Sequence, residues 1–244
     1  MGTENVDFKC LSRRWVLVKR SELNKLMRNA VEFTKKMGFH LPPFAFWGPQ
    51  DWEAKGREYD EIRDNMLGWD ITDFGSGDFH KIGLLLFTIR NGNPNDTRYT
   101  KTYCEKLLIV EEEQVTPYHF HRNKTEDIIN RGGGNLLVQL YNSTEDEKLA
   151  DTPVQLSVDG RNFTAPAGTI VCLTPGESIT LTPGVYHQFW GEKGMGTVLA
   201  GEVSQVNDDR TDNRFLNQEG RFPAIEEDEE PVYLLCTEYP PARD

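Results

Sequence analysis

The sequence predicts a chain dominated by β structure, folded as an antiparallel sandwich or barrel and preceded by helices. Beyond residue 68, short apolar segments recur about every ten residues and are separated by glycine and proline, as in sandwiches and barrels. Helical spacing of apolar residues occurs only before that point. The 244 residues fit one large domain or two small ones, and a hydrophobic fraction of 37% supplies a sizeable core.

The N-terminal region is expected to be helical. Residues 1–17 have no clear periodicity and are interpreted as a peripheral extension. The first helix should begin at Ser21, a favourable N-cap residue, and stop at Gly38. The segment 41–47 (LPPFAFW) is expected to be extended because of its prolines, and a polar second helix is expected over 51–67.

The rest of the chain is interpreted as a series of short strands. Asn91-Gly92 is a turn signal and should end the strand that begins near residue 81. The acidic run 226–230 is expected to form a solvated loop. The predicted strands cover 70–79 with its glycine-rich turn, 81–93, two within 106–121, two within 127–142, 154–160, 169–173, 177–181, 186–190, 197–206 and 232–236.

The composition excludes several classes of partner. The chain carries a formal net charge of −12, from 27 basic and 39 acidic residues, so nucleic acid and anionic membranes would be repelled. No apolar stretch approaches the roughly 20 residues that span a bilayer. The four cysteines form no CxxC pair, and Cys104, Cys172 and Cys236 are expected to be buried thiols outside any disulfide. These features favour a cytoplasmic protein.

The segment HFHRNKTE, residues 119–126, has the pattern of a metal site. Side chains alternate along a strand, so His119 and His121 should point to the same face, about 7 Å apart. Glu126 follows a four-residue bend that could return its carboxylate to the same pocket. Two imidazoles and a carboxylate suit Zn, Mn, Fe, Co or Ni.

A third histidine completes the candidate ligand set. His187 follows a Pro183-Gly184 turn and opens an aromatic strand, so a distant hairpin could deliver it as the fourth ligand. The chain has only five histidines. The other two, His40 and His80, have no other histidine near them in the sequence. An ion with four protein ligands would keep positions open for a substrate.

These two segments resemble the motifs of the cupin family. The HxHx4E segment, with Gly133 seven residues past Glu126, is similar to the first cupin motif, and TPGESITLTPGVYH is similar to the second. Three positions depart from the pattern: Glu113 replaces the leading glycine, Pro183-Gly184 lacks the intervening residue, and Gly191 occupies the position expected for asparagine. The four ligand types are unaffected by these departures.

Over about residues 18–240 the chain is similar to the D-lyxose isomerase family of cupin sugar isomerases. The resemblance rests on LPPFAFW, LGWDITDFG, GLLLFTIRNGN, EKLLIVEEEQVTPYHFH, LTPGESITLTPGVYHQFWGE, GEVSQVNDDRTDNRF, PVYLLCTEYP and the highly specific EDIINRGGGNL. It implies a cupin double-stranded β-helix, or jelly-roll barrel, with the N-terminal helices packed outside. It also implies a single domain over 18–244 and a homodimer.

The resemblance further implies the reaction and the metal ligands. The family interconverts D-lyxose and D-xylulose, and D-mannose and D-fructose, and prefers Mn²⁺; Co²⁺, Fe²⁺, Ni²⁺ or Zn²⁺ are the other candidates for this donor set. Carried over by position, the ligands are His119, His121, Glu126 and His187, and the family's lysine between them falls on Lys124.

Aldose–ketose isomerisation must move one proton between C1 and C2 and another between O1 and O2. A cation on the sugar oxygens stabilises the enediol, and a positioned base moves the carbon proton. Lys124 is the candidate proton carrier or oxyanion stabiliser and Glu202 the candidate base, with Glu219 as a weaker alternative. The candidates for holding sugar hydroxyls are Lys106, Asp208, Asp209 and Arg210. Trp69 and Phe46 are expected either to wall the pocket or to pack in the core.

Two other functions stay open at this point. A mononuclear iron cupin dioxygenase would use the same ligand types and consume O₂. A non-catalytic sugar-binding cupin would be stabilised by its ligand without turning it over.

Overall fold

The computed structural model describes residues 18–208, 211–217, 220 and 224–243. Within these residues the chain forms three α-helices and sixteen strands. The helices are α1 (Arg20–Lys36), α2 (Pro49–Glu53) and α3 (Asp60–Asp64), with 3₁₀ turns at Pro43–Phe46 and Arg57–Tyr59. The strands are β1 (Val18–Lys19), β2 (Gly68–Thr72), β3 (Leu84–Arg90), β4 (Tyr103–Val110), β5 (Thr116–His121), β6 (Glu126–Gly133), β7 (Leu136–Ser143), β8 (Leu149–Ala150), β9 (Val154–Val158), β10 (Arg161–Ala165), β11 (Ile170–Leu173), β12 (Ser178–Leu181), β13 (Val185–Gly191), β14 (Val198–Gln205), β15 (Asn213–Phe215) and β16 (Ile225–Glu226).

Two antiparallel sheets form the body of the molecule. The larger has the order β10-β9-β12-β6-β14-β4-β3-β2, and the smaller has the order β11-β7-β13-β5-β15, with β8 paired to β7. Buried apolar side chains from both sheets form one core between them, for example Leu108 and Ile128 from the larger and Val138, Leu140 and Phe189 from the smaller. The predicted β-dominated barrel is therefore confirmed.

A second core lies on the outer face of the larger sheet. Strand alternation sends Leu107 and Ile109 of β4 outward, where they pack with Leu23 and Met27 of α1. The neighbouring Leu108 points into the core between the sheets. The helices thus lie outside the barrel, as predicted, and none in the described part of the chain has the length and apolar character to cross a bilayer.

Helix α1 begins earlier than predicted. Lys19 is its N-cap, and Ser21 instead uses its backbone N–H and its hydroxyl to bind the carboxylate of Asp228, at 2.9 and 2.8 Å. Arg20 is 1% exposed and pairs with Glu227, at 2.8 Å, and with Glu238. The predicted stop is confirmed, because Gly38 adopts a φ of +71° just beyond the helix.

Several local predictions are wrong. The segment 41–47 is not wholly extended, since Pro43 begins a 3₁₀ turn in which the N–H of Ala45 binds the carbonyl of Pro42. The single helix over 51–67 is replaced by α2, a 3₁₀ turn and α3, with Gly56 at the interruption. Residues 232–236 form no strand; Leu235 makes one bridge to Trp69.

The Asn91-Gly92 pair is not a hairpin turn. Strand β3 ends at Arg90 and β4 begins at Tyr103, so a long loop connects them. A Cβ on Gly92 would lie 2.0 Å from the carbonyl oxygen of Lys101 and 2.7 Å from Val206 Cγ2, so the glycine is required for close packing of this loop.

The described cysteines form no disulfide, as predicted, but they are not all buried. Cys104 and Cys236 are buried, whereas Cys172 is exposed. Cys172 lies on β11, the edge strand of the smaller sheet, with its side chain on the outer face. The apolar residues around it in the sequence belong to the opposite face.

Candidate active site

A cavity of about 310 Å³ opens between the two sheets at one end of the barrel. Its apolar lining includes Leu84, Leu86 and Leu108. The polar and charged side chains that line it are Asp70, Thr72, Lys106, Thr116, His119, His121, Lys124, Glu126, Glu202 and Asn213. Six of the predicted site residues therefore meet at one cavity.

Three histidines from the smaller sheet form a histidine cluster (His119, His121 and His187). His119 and His121 share one face of β5, and His187 of β13 lies directly opposite His119 in the sheet. One ring nitrogen from each lies within 4.8 Å of those of the other two. His187 is only 1% exposed and lies outside the cavity surface, whereas the other two line the cavity. This cluster could hold a metal ion.

Two of the rings are held by their own strands. His119 Nδ1 lies 2.8 Å from the carbonyl oxygen of Pro117, and His187 Nδ1 lies 3.1 Å from that of Val185. A carbonyl only accepts, so Nδ1 carries the proton in both rings and Nε2 keeps a lone pair. This is the tautomer that a metal-ligating imidazole needs.

Glu126 brings a carboxylate to the same point from the larger sheet. Its Oε2 lies 3.1 Å from His121 Nε2, and its Oε1 lies 3.3 Å from His187 Nε2. Within the described residues, Nε2 of His121 and Nε2 of His187 are buried and make no hydrogen bond. Converging lone pairs without protein partners are what a bound divalent cation would satisfy, so the donor set fits the predicted metal.

The electrostatics keep His119 and Glu126 in their ligating forms. Burial, and then the neighbouring His187 and His121, lower the pKa of His119 well below 6.5. Burial alone would raise the pKa of Glu126, but Lys124 and His121 outweigh it and hold that pKa well below 4.5. A neutral imidazole and an ionised carboxylate are both ready to bind a cation.

The larger sheet also supplies a lysine–carboxylate cluster (Lys106, Lys124, Glu126 and Glu202). Lys106 and Glu202 lie opposite each other on β4 and β14, with Nζ 3.5 Å from Oε1. Lys124 lies in the bend between β5 and β6, and its Nζ is 2.7 Å from Glu202 Oε1 and 2.9 Å from Glu126 Oε2. Each of the four residues is at most 5% exposed. The cluster can accept a proton at a carboxylate and supply positive charge at two ammonium groups.

Sequence reasoning missed two residues that hold Lys124 and its bend. Asp212 Oδ1 accepts hydrogen bonds from the backbone and side chain of Asn123, at 2.7 and 3.0 Å, and its Oδ2 lies 3.9 Å from His121 Nδ1. Asn207 Oδ1 accepts from Lys124 Nζ at 2.8 Å. Both follow Glu202 closely in the chain, but only the folded structure brings them to the bend.

Other candidates are placed elsewhere. Asp208 lines a separate polar cavity and accepts a hydrogen bond from Thr211 at 2.9 Å. Residues 1–17, Asp209, Arg210 and Glu219 lie outside the described residues. His80 is exposed and contacts Glu111, and His40 is exposed; neither joins the histidine cluster.

The aromatic wall of the cavity also differs from the prediction. Trp69 is 1% exposed in the outer core, where its indole N–H binds the carbonyl of Ala45 at 2.8 Å, and Phe46 is 43% exposed. Phe74 and Phe215 line the cavity instead, with ring centroids 5.7 Å apart. Trp69 and Asp70 are adjacent on β2, so strand alternation turns Asp70 toward the cavity and Trp69 away from it.

Comparison with known proteins gives the family. Residues 18–239 match the family model described as D-lyxose isomerase. The chain belongs to the D-lyxose isomerase family. It is 51% identical over 223 residues to a D-lyxose/D-mannose isomerase of Serratia proteamaculans, covering 91% of this chain and 98% of that one. A D-lyxose/D-mannose isomerase of Escherichia coli O157:H7 is 47% identical with the same coverage.

A comparison of solved structures supports the fold of this D-lyxose isomerase family member. The L-ribose isomerase of Cellulomonas parahominis, solved with L-ribose, superposes with a TM-score of 0.56 at 16% identity, covering 87% of this chain and 100% of that one. At this identity the likeness shows the fold alone, and the predicted cupin barrel is confirmed. Family membership makes the chain a sugar aldose–ketose isomerase, which overrides the dioxygenase and the non-catalytic alternatives.

Proposed function

We propose that this chain interconverts D-lyxose and D-xylulose, and D-mannose and D-fructose, in a reaction that requires a divalent cation, preferably Mn²⁺. The observation that carries the proposal is one cavity lined both by His119 and His121 of the histidine cluster and by the whole lysine–carboxylate cluster. The two D-lyxose/D-mannose isomerases near 50% identity support the choice of sugars.

His119, His121, His187 and Glu126 would hold the ion. When bound, the cation would polarise the sugar oxygens and stabilise the negative charge that develops on them. Three nitrogen donors and one carboxylate also suit Co²⁺, Fe²⁺, Ni²⁺ and Zn²⁺, so Mn²⁺ rests on the family resemblance.

The protein's own residues would move the protons. Glu202 is the proposed base: its carboxylate lines the cavity and would remove the proton from C2 of the aldose and return it to C1. The ammonium groups of Lys124 and Lys106 both contact the same oxygen of that carboxylate. They would stabilise negative charge on the sugar oxygens. Lys124 would carry the proton that passes between O2 and O1.

The cavity favours a small neutral sugar. Its volume lies at the lower end of the roughly 300–1,000 Å³ that is typical of small-molecule sites. Its lysines already face carboxylates, so little positive charge remains to recognise a phosphate. Lys106 together with Asp70 and Thr72 would bind sugar hydroxyls, whereas Asp208 would act only from its neighbouring cavity. Arg210 stays a candidate from the sequence alone.

Three further properties belong to the same proposal. Residues 18–244 would act as one cupin domain with residues 1–17 as an extension, supported by the family match over 18–239. The active form would be a homodimer in the cytoplasm. The net charge of −12 supports small neutral substrates rather than nucleic acid or membrane partners.

The test is isomerisation by the purified chain after chelation and addition of single metals. We expect D-lyxose to give D-xylulose, and D-mannose to give D-fructose, most rapidly with Mn²⁺, and no turnover with the chelator or in His121→Ala. His40→Ala is the matched control, because this exposed histidine lies outside the cluster. Full activity of the chelated protein, or of His121→Ala, would refute the metal requirement. Uptake of O₂ at an electrode would instead point to a dioxygenase.

A further inference from the structure

A pair of buried asparagines lies behind the cavity. Asn207 follows β14 and is 8% exposed, and Asn91 follows β3 and is 6% exposed. We propose that Asn207, held in place by Asn91, is a positioning residue that fixes the ammonium group of Lys124 between Glu126 and Glu202. This inference rests on the proposed isomerase function of the cavity.

The hydrogen-bond partners of Lys124 are the first observation that supports this proposal. An ammonium group has three protons to donate, and three oxygens surround this one: Glu202 Oε1 at 2.7 Å, Asn207 Oδ1 at 2.8 Å and Glu126 Oε2 at 2.9 Å. Glu202 is the proposed base and Glu126 a proposed metal ligand, so both change their charge or partners during turnover. Asn207 is the neutral acceptor of the three, and its hydrogen bond can persist throughout.

The position of Asn207 is itself determined by Asn91. The backbone N–H of Asn207 binds Asn91 Oδ1 at 3.0 Å, and Asn91 Nδ2 binds the carbonyl oxygen of Asn207 at 2.9 Å. The carbonyl oxygen of Asn91 in turn accepts from Asn65 Nδ2 at 3.1 Å, just after α3. All these groups are buried, so the two reciprocal bonds place the Asn207 backbone within narrow limits.

Gly92 explains why the loop after β3 can approach the segment that contains Asn207. Its missing Cβ lets the loop after β3 lie against Lys101 and Val206, the residue before Asn207. The Asn-Gly pair that looked like a hairpin signal therefore serves another purpose. Gly92 allows the contact, and Asn91 uses it to hold Asn207.

Loss of the Asn207 acceptor should move the ammonium toward its charged neighbours. In Asn207→Leu, which has similar volume but no oxygen, we expect kcat to fall about 10- to 100-fold, as for small misplacements of catalytic groups. KM for D-lyxose should change much less, because Asn207 lines only the neighbouring cavity and not the one that holds the two clusters. Asn207→Asp keeps an oxygen at the same place and should recover most of the lost kcat.

A double-substitution experiment separates positioning from a general structural role. If Asn207 acts through Lys124, adding Asn207→Leu to Lys124→Met should cause little further loss. Asn91→Ala should lower kcat in the same direction, and Asn95→Ala, on the exposed part of the same loop, should leave it unchanged. The proposal would be overturned if the fold-losses in kcat of the two single variants multiplied in the double variant. It would also be overturned if Asn207→Asp lost as much kcat as Asn207→Leu.

Crystal structures of the wild type and Asn207→Leu keep the two hypotheses distinguishable. If the wild type isomerises no sugar, the proposed function fails, and positioning is then judged by the coordinates. In the variant, a shift of Lys124 Nζ toward Glu126 and Glu202, away from its wild-type position, supports positioning, whereas an unchanged Nζ refutes it.

Discussion

The two walls of the cavity, one from each sheet, carry different kinds of polar side chain. The smaller sheet contributes the histidine cluster, two of whose rings are oriented by carbonyls of their own strands. The larger sheet contributes the lysine–carboxylate cluster, whose members are held mainly by one another. Under the proposed function, ion binding would fall mainly to the smaller sheet and proton movement to the larger one. Glu126 is the exception, because it belongs to the larger sheet but touches both clusters.

The largest effect is expected from breaking the histidine wall. His187→Gln removes one nitrogen donor without opening the cavity surface, since His187 lies outside that surface. We expect loss of bound metal and a fall in kcat/KM of about 1,000-fold, equivalent to several kcal/mol of lost charge stabilisation. Metal content by mass spectrometry and kinetics with D-lyxose check it. Retention of stoichiometric Mn²⁺ with full activity would contradict the assignment of His187.

A smaller effect of a different kind is expected on the opposite wall. Glu202→Gln keeps the shape of the side chain but removes the proposed base, so kcat should fall about 100-fold or more while metal content stays constant. Exchange of the C2 proton of D-lyxose with deuterated solvent, followed by NMR, should stop in this variant. Exchange at the wild-type rate would assign the base elsewhere.

A substitution at the connection between the two walls should have a smaller effect still. Asp212 holds the bend that carries Lys124 from one sheet to the other. Asp212→Asn keeps one acceptor oxygen but removes the charge near His121, and we expect about a tenfold loss in metal affinity. Competition with a fluorescent chelator measures it. Asn123→Ala is the comparison, and an equal loss there would indicate that the bend geometry rather than the charge matters.

The smallest effect concerns the stability of the metal-free protein. The pKa of His119 is lowered on folding, so below about pH 6.5 the unfolded chain binds the proton and the folded one does not. Stability is therefore present above that pH and falls as the pH decreases; Glu126 adds a second loss below about pH 4.5. Thermal unfolding of the chelated protein should show Tm decreasing from pH 7.5 to 5.5, and less steeply in His119→Gln. A flat profile would contradict the burial of a neutral imidazole.

Local patterns were sufficient to predict two members of the histidine cluster, His119 and His121. Alternation on one strand places His119 and His121 on the same face, and the spacing to Glu126 spans only a short bend. The helix stop at Gly38 was likewise a local signal. In each case the residues involved are close in sequence or share one strand.

The lysine–carboxylate cluster depends on strand pairings that no local sequence pattern encodes. Lys106 and Glu202 meet because β4 and β14 are adjacent and in one particular register. Asn91 was misread because its local turn propensity is overridden by contacts with Asn207. Cys172 was misplaced because the face of an edge strand depends on which neighbours cover it.

The Arg20 ion pairs bear on how this chain folds during synthesis. Arg20 is buried at the start of α1, yet its carboxylate partners lie 207 and 218 residues away. Until those residues have left the ribosome, the guanidinium has neither partner, and the helix cannot dock completely on its sheet. Such distant contacts make folding slow and place the completion of the outer layer late in folding. The partly folded intermediate would expose the apolar side of α1, which makes it the species most prone to aggregate and the one that chaperones would bind.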